Sequence, residues 1–237
     1  MGALVFSVTT AALMVLMFKG ALALLGEGTL RGRRTPWAAV GLTALVVAGL
    51  VTQLTWSGAM DTFDSDPARS GWWRIVTSVF MQNGGPAGDA WNIATIAVIA
   101  ALAEWFWGGP LMLGLFTAGI LLPTYVDMLF GQSDRSTDPR NFAGSSGATY
   151  FLAATLAAPL LLRALRAGRS GVNAKEALLA LGAPVLGLTL WFAQSNGHGL
   201  VAAYGFALGA LTCLLPRRSA APGTAPARTP DAESVPR

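Results

Sequence analysis

The sequence predicts an all-α, polytopic membrane protein, and three features carry that prediction. Of its residues 53% are hydrophobic, only 12% are charged, and the mean hydropathy is +0.53. Several uninterrupted apolar runs reach the roughly 17–25 residues that cross a bilayer as a helix. The runs are continuous, not alternating, so they do not read as barrel strands, and a helix satisfies its own backbone groups in hydrocarbon. This balance excludes an ordinary soluble domain and leaves no room for a second globular one. The net charge of +4 follows membrane topology and implies no nucleic-acid partner. The single cysteine, Cys213, excludes an internal disulfide and a cysteine-rich metal site. It lies deep in the last apolar run and reads as a small buried side chain. No metal and no cofactor are expected.

The first run covers residues 3–25 and contains only Lys19, whose stem can snorkel to the nearer interface. Ala21-Leu22-Ala23 looks like a signal-peptidase site, but no basic residue precedes the run. Cleavage would also leave Arg31, Arg33 and Arg34 outside, so the helix is read as retained. The second span is 37–54. Residues 55–88 form a long connection whose first part is solvated by Asp61, Asp64 and Asp66. In its second part, Trp72, Trp73, Arg74 and Phe80 give the composition of a segment in the headgroup region. The third span, 90–107, carries Asn92 near its start and Glu104 near its end. A Gly108-Gly109-Pro110 turn leads to the fourth, 111–130, bent at Pro123. After a polar loop at 131–141 the fifth span covers only 146–162. The sixth is 177–193 and the seventh 199–215. Residues 216–237, with five prolines, read as a disordered tail.

The basic residues set the orientation. With the N-terminus outside, twelve of the sixteen lysines and arginines fall on the cytoplasmic side, and only Arg69, Arg74, Arg135 and Arg140 fall outside. Ser146 and His198, the chain's only histidine, then lie at the same depth near the outer face. Each opens an apolar run. A hydroxyl at the start of a helix has free backbone N–H groups and the positive dipole end beside it, as an oxyanion requires. Ser146 and Tyr150 share one helix face, as do His198, Ala202, Gly205 and Gly209 on the last helix. Gly205 and Gly209 have the small-residue spacing that lets membrane helices approach closely, and Gly147 beside the serine is as thin. Close approach would let His198 take the Ser146 proton during attack on a carbonyl. No carboxylate suggests itself as a third member, since Glu104 belongs near the opposite face. The reading is a dyad, with the Tyr150 ring orienting the imidazole. Each residue also has a packing reading: small residues seat helices, a histidine sits at an interface, and Asn92 bonds between helices.

Gly144-Ser145-Ser146-Gly147-x-x-Tyr150 resembles the GxSGxxY motif of the rhomboid intramembrane serine proteases. Trp73-Arg74 in the first outer connection, Asn92 with Glu104 on the next helix, and His198 leading a glycine-spaced last helix extend the resemblance over about 36–215. It implies a rhomboid-like six-helix core, preceded over 1–35 by an extra N-terminal helix with its basic cytoplasmic loop. The implied roles are Ser146 as nucleophile, His198 as general base, Tyr150 as stacking partner, and Asn92 with the Ser146 N–H as oxyanion donors. Gly144 and Gly147 match the motif's glycines. Trp73, Arg74, Glu104, Gly205 and Gly209 are implied structural positions. The chain departs from the family where a histidine usually precedes the asparagine: positions 87–89 read Ala-Gly-Asp, another usual histidine is Gln82, and Val201 replaces a glycine. The implied activity is cleavage of transmembrane segments of other proteins, in the plasma membrane. The alternatives are a rhomboid-like protein that binds transmembrane helices without cutting them, and a small-solute transporter. The transporter reading lacks the repeats and paired interior charges it would need.

Overall fold

The computed structural model describes residues 2–26, 28, 32–66, 68–129, 143–166 and 174–215. The expected polar loop at 131–141 and the tail at 216–237 lie outside the described residues. The described residues form ten helices and no strand. They are α1 (Ala3–Leu25), α2 (Trp37–Thr55), α3 (Ala59–Phe63), α4 (Arg74–Thr77), α5 (Gly85–Trp107), α6 (Gly109–Leu129), α7 (Ser146–Thr155), α8 (Ala157–Arg166), α9 (Ala174–Gln194) and α10 (Gly197–Leu214). Seven segments are long and apolar enough to cross a membrane, with α7 and α8 together making one of them. They coincide with the seven runs read from hydropathy.

The third span starts earlier than hydropathy places it, because Pro86 sits in the first turn of α5, where its missing N–H is not needed. The Asp89 carboxylate accepts from the Gly84 N–H at 3.1 Å just before that turn. The connection between α2 and α5 differs more from expectation. It folds as α3, α4 and a 3₁₀ turn at Ser78–Phe80. Asp64 does not solvate this segment but is buried. The buried Arg74 guanidinium donates to the Asp64 carbonyl at 2.7 Å, to Asp64 Oδ1 at 3.0 Å and to the Asp61 carbonyl at 2.6 Å. Phe63 meets the Trp56 and Trp73 rings edge-on. The segment is therefore a folded cap closed by a desolvated ion pair. Removing one partner of such a pair strands the other charge.

One helix organises the rest. Within an 18-residue stretch of the α7–α8 span 78% of the residues are buried, against 22–44% in the corresponding stretches of the other six spans. It is interrupted at Leu156, where the N–H reaches back to the Ala153 carbonyl instead of continuing the α pattern. Pro159 explains the break, since it has no N–H to offer the Thr155 carbonyl four residues earlier. α10 lies along α7, and a Cβ at Gly205 or Gly209 would overlap the Phe151 or Thr155 carbonyl oxygen. The two backbones are in direct contact, and only glycine permits it.

Helix α1 is packed into the bundle. Leu13, Met14, Met17 and Ala21 are buried, and α1 lies chiefly along α9, touching α8, α7 and α5. At its C-terminal end Arg163 donates to the Leu24 carbonyl at 2.8 Å and the Ala23 carbonyl at 2.6 Å. These are carbonyls that the end of a helix leaves unpaired. The same guanidinium pairs with Glu176 of α9 at 2.9 Å. Glu104 caps another helix: its Oε2 accepts from the Ala39 N–H in the first turn of α2 at 2.8 Å.

Bulk at the α7–α10 contact should separate the two helices. Gly205→Leu is expected to destabilise the protein by about 1–3 kcal/mol, the usual scale of overpacking, seen as a lower melting temperature in detergent. A Cβ at Gly147 meets no atom of the described residues within 4 Å, so Gly147→Ala should melt with the parent. Equal melting of Gly205→Leu and parent would contradict the close packing.

Candidate active site

The site forms where the first turns of α7 and α10 meet. Ser145 is the N-cap of α7 and Ser146 its first helical residue. The backbone enters through Gly144 at φ 139°, a conformation that L side chains rarely adopt. The Gly144 N–H donates to the Ser78 carbonyl at 3.0 Å, anchoring the turn to the 3₁₀ segment. The two serines are sorted by this turn. Ser145 is fully buried, and its hydroxyl is without a hydrogen-bond partner among the described residues. Its carbonyl accepts from the Thr149 N–H at 3.0 Å and the Thr149 hydroxyl at 2.8 Å. Ser146 faces α10, where its Oγ lies 2.9 Å from His198 Nε2.

His198 is the second residue of α10 and is held from both sides. The Tyr150 ring lies 4.7 Å from the imidazole, centroid to centroid, tilted by 59°. That is a close tilted contact, where the sequence reading expects stacking. On the far side Asn196 is the N-cap of α10, and its Oδ1 accepts from the His198 N–H at 3.1 Å. The same oxygen lies 3.2 Å from His198 Nδ1. The sequence reading of Ser146 and His198 does not include this neighbour: an amide, not a carboxylate, faces the second ring nitrogen. Asn196 is fully buried. Its position two residues before His198, at the start of an apolar run, carries the N-cap signature, which would have located it.

Asn92 stands across from Ser146. Its Nδ2 donates to Gln82 Oε1 at 2.7 Å, leaving the second N–H of that amide for another acceptor. Gln82 is fully buried. Its backbone N–H and carbonyl pair with the Gln53 side chain at 3.0 and 2.7 Å. Gln53 was not singled out from the sequence, and Gln82 was noted only as standing where the resembled family usually carries a histidine. A Cβ built on Gly144 would lie 3.7 Å from Ser146 Oγ and 3.8 Å from Asn92 Nδ2, with no other atom of the described residues within 4 Å, its chain neighbours aside. The Ser146 hydroxyl and the Asn92 amide therefore both lie within 4 Å of one point beside Gly144, at the first turn of α7. A hydroxyl beside an imidazole, with an amide and a helix N-terminus close by, is an arrangement suited to attack on a carbonyl.

The remaining expected positions lie apart. Trp73 covers the Arg74 guanidinium, whose carbon is 5.3 Å from the ring, within the cap over the connection. Glu104 is about 18 Å along α5 from Asn92, bonded to α2, and takes no part in the site. Gly205 and Gly209 act through packing alone. The described residues hold no group of three or more His, Cys, Asp or Glu side chains placed to bind a metal ion. Comparison with models of known families, with curated proteins and with solved structures returned no match.

Proposed function

We propose that the chain is a rhomboid-type intramembrane serine protease that cuts transmembrane segments of other proteins. One observation carries the reading: Ser146 Oγ sits 2.9 Å from the chain's only imidazole, at the start of the most buried span. In this reading His198 Nε2 takes the hydroxyl proton as Ser146 Oγ attacks the peptide carbonyl. Negative charge builds on the substrate oxygen in front of Gly144, against the Ser146 N–H and the Asn92 amide. The carbon–nitrogen bond then breaks, and His198 delivers the proton to the leaving amine. Water enters from the aqueous side, loses a proton to His198 and attacks the acyl carbon; the carbon–oxygen bond to Ser146 then breaks and His198 returns the proton to Oγ. A frame of seven apolar helices keeps bulk water away and strengthens these interactions.

A second reading, binding of transmembrane helices without cleavage, is favoured by one feature. The Asn92 amide is already engaged by Gln82 at 2.7 Å, and no histidine lies at 87–89 to supply another donor.

Three measurements test the proposal. On a transmembrane substrate in proteoliposomes, Ser146→Ala, His198→Ala and the double change should lose turnover to the same extent, because a coupled pair fails as a unit. Additive losses would contradict a Ser–His pair. Asn92→Ala should lower kcat about 10²–10³-fold with KM little changed, the scale of losing one oxyanion donor. Unchanged kcat would make Asn92 a packing residue and favour the binding reading. Reporter fusions should place residues 131–141 outside and a fusion after Arg218 in the cytoplasm, following the basic residues. The opposite result would put the serine on the wrong face.

A further inference from the structure

The chain of hydrogen bonds behind His198 does not end at Asn196. Asn196 Nδ2 donates to Thr10 Oγ1 of α1 at 2.7 Å. The Thr10 hydroxyl donates its own proton to the Phe6 carbonyl one turn earlier, at 2.7 Å, leaving its oxygen to accept from Asn196. The Thr10 carbonyl accepts from the Tyr150 hydroxyl at 2.8 Å. One residue of the N-terminal helix thus holds both side chains that flank the imidazole.

Directions of donation make this a constraint on chemistry. With its proton spent on Phe6, Thr10 Oγ1 meets Asn196 as an acceptor, so the amide must turn its NH₂ toward α1. That places Oδ1, an acceptor only, against His198 Nδ1. Nδ1 must then carry the ring proton, and Nε2 keeps the lone pair that accepts from Ser146 at 2.9 Å. An amide turned the other way would present NH₂ to Nδ1 and put the proton on Nε2, where it cannot accept from serine; it would also lose the N-cap bond from the His198 N–H at 3.1 Å, so Thr10 and that N–H favour the same orientation. We propose that Thr10 is a positioning residue for the Ser146–His198 pair: through Asn196 it selects the imidazole tautomer that can act as base. The inference deepens the proteolytic reading and rests on it for its catalytic consequence, while its tautomer claim stands on the hydrogen bonds alone.

The test uses the full chain, labelled with ¹⁵N-histidine and purified through a tag without histidine, so that one imidazole is observed. Thr10→Val and Thr10→Ala remove the acceptor, and Thr10→Ser restores it. Thr9→Val is the control, since Thr9 joins α1 to Gln194 of α9 at 3.0 Å without touching the histidine chain. In the parent, Thr9→Val and Thr10→Ser, ¹⁵N shifts should report the Nδ1–H tautomer. In Thr10→Val and Thr10→Ala the Nε2–H form should appear. Turnover of the transmembrane substrate should fall about 10–100-fold in kcat in these two, the scale for losing a partner behind a functional histidine, with KM unchanged. Retention of the parent tautomer and kcat in Thr10→Val would overturn the proposal, as would equal losses in Thr9→Val, which would reduce the effect to helix docking. A parent protein with no turnover would overturn the proteolytic reading instead, and the tautomer comparison would then decide the role of Thr10 by itself.

Discussion

The 2.9 Å contact between Ser146 and His198 depends on two helix backbones touching. Two α-helices usually pack with axes 8–10 Å apart, set by the side chains between them. Here Gly205 and Gly209 bring α10 against the carbonyls of Phe151 and Thr155, so the first turns of α7 and α10 come within reach of two short side chains. The Thr155 carbonyl is available for this contact because Pro159 cannot donate to it. The proline that interrupts the central span and the glycine that receives the exposed carbonyl belong to one device. Polar chemistry at the end of the helices is thus a consequence of apolar packing along them.

Around that contact the buried polar groups are almost all paired. Gln53 holds the Gln82 backbone, Gln82 holds Asn92, Asn196 holds His198, and α1 holds Asn196 and Tyr150. Unpaired, each would face several kcal/mol of desolvation in hydrocarbon, so the networks confine each side chain to one arrangement. Ser145 is an exception, with a fully buried hydroxyl and no acceptor among the described residues. Arg74 and Asp64 do the same work for the cap between α2 and α5, which carries the carbonyl that anchors Gly144. The N-terminal helix, read from the sequence as an addition to a six-helix core, is tied in at both ends, by Thr10 and by Arg163.

The spans were legible because the hydrocarbon thickness imposes a length on every apolar run. Even so, Pro86 started α5 earlier and Pro159 divided the fifth span, local effects that average hydropathy does not carry. Ser146 and His198 were legible as a pair because both open apolar runs at one depth, and the glycine spacing of α10 showed where close approach was possible. Asn196 was not legible as a partner because the group behind a catalytic imidazole is usually a carboxylate, and an asparagine before a helix reads first as an N-cap. Thr10 was missed because a threonine in a membrane helix normally satisfies itself on its own backbone, as Thr10 also does. Its second role needs the fold. Asp64 read as a solvating charge because its partner Arg74 is ten residues away, across a segment whose folding depends on that same pair.

In the proposed function Ser146 is a nucleophile activated by His198. Labelling of the purified full chain with a fluorophosphonate probe, with the adduct located by mass spectrometry, tests it most directly. Such a probe reacts with a serine only where a base takes its proton and donors receive the phosphoryl oxygen. The adduct should form on Ser146 in the parent protein and be lost in His198→Ala. An unlabelled Ser146 in folded parent protein, or labelling that persists without His198, would contradict the claim.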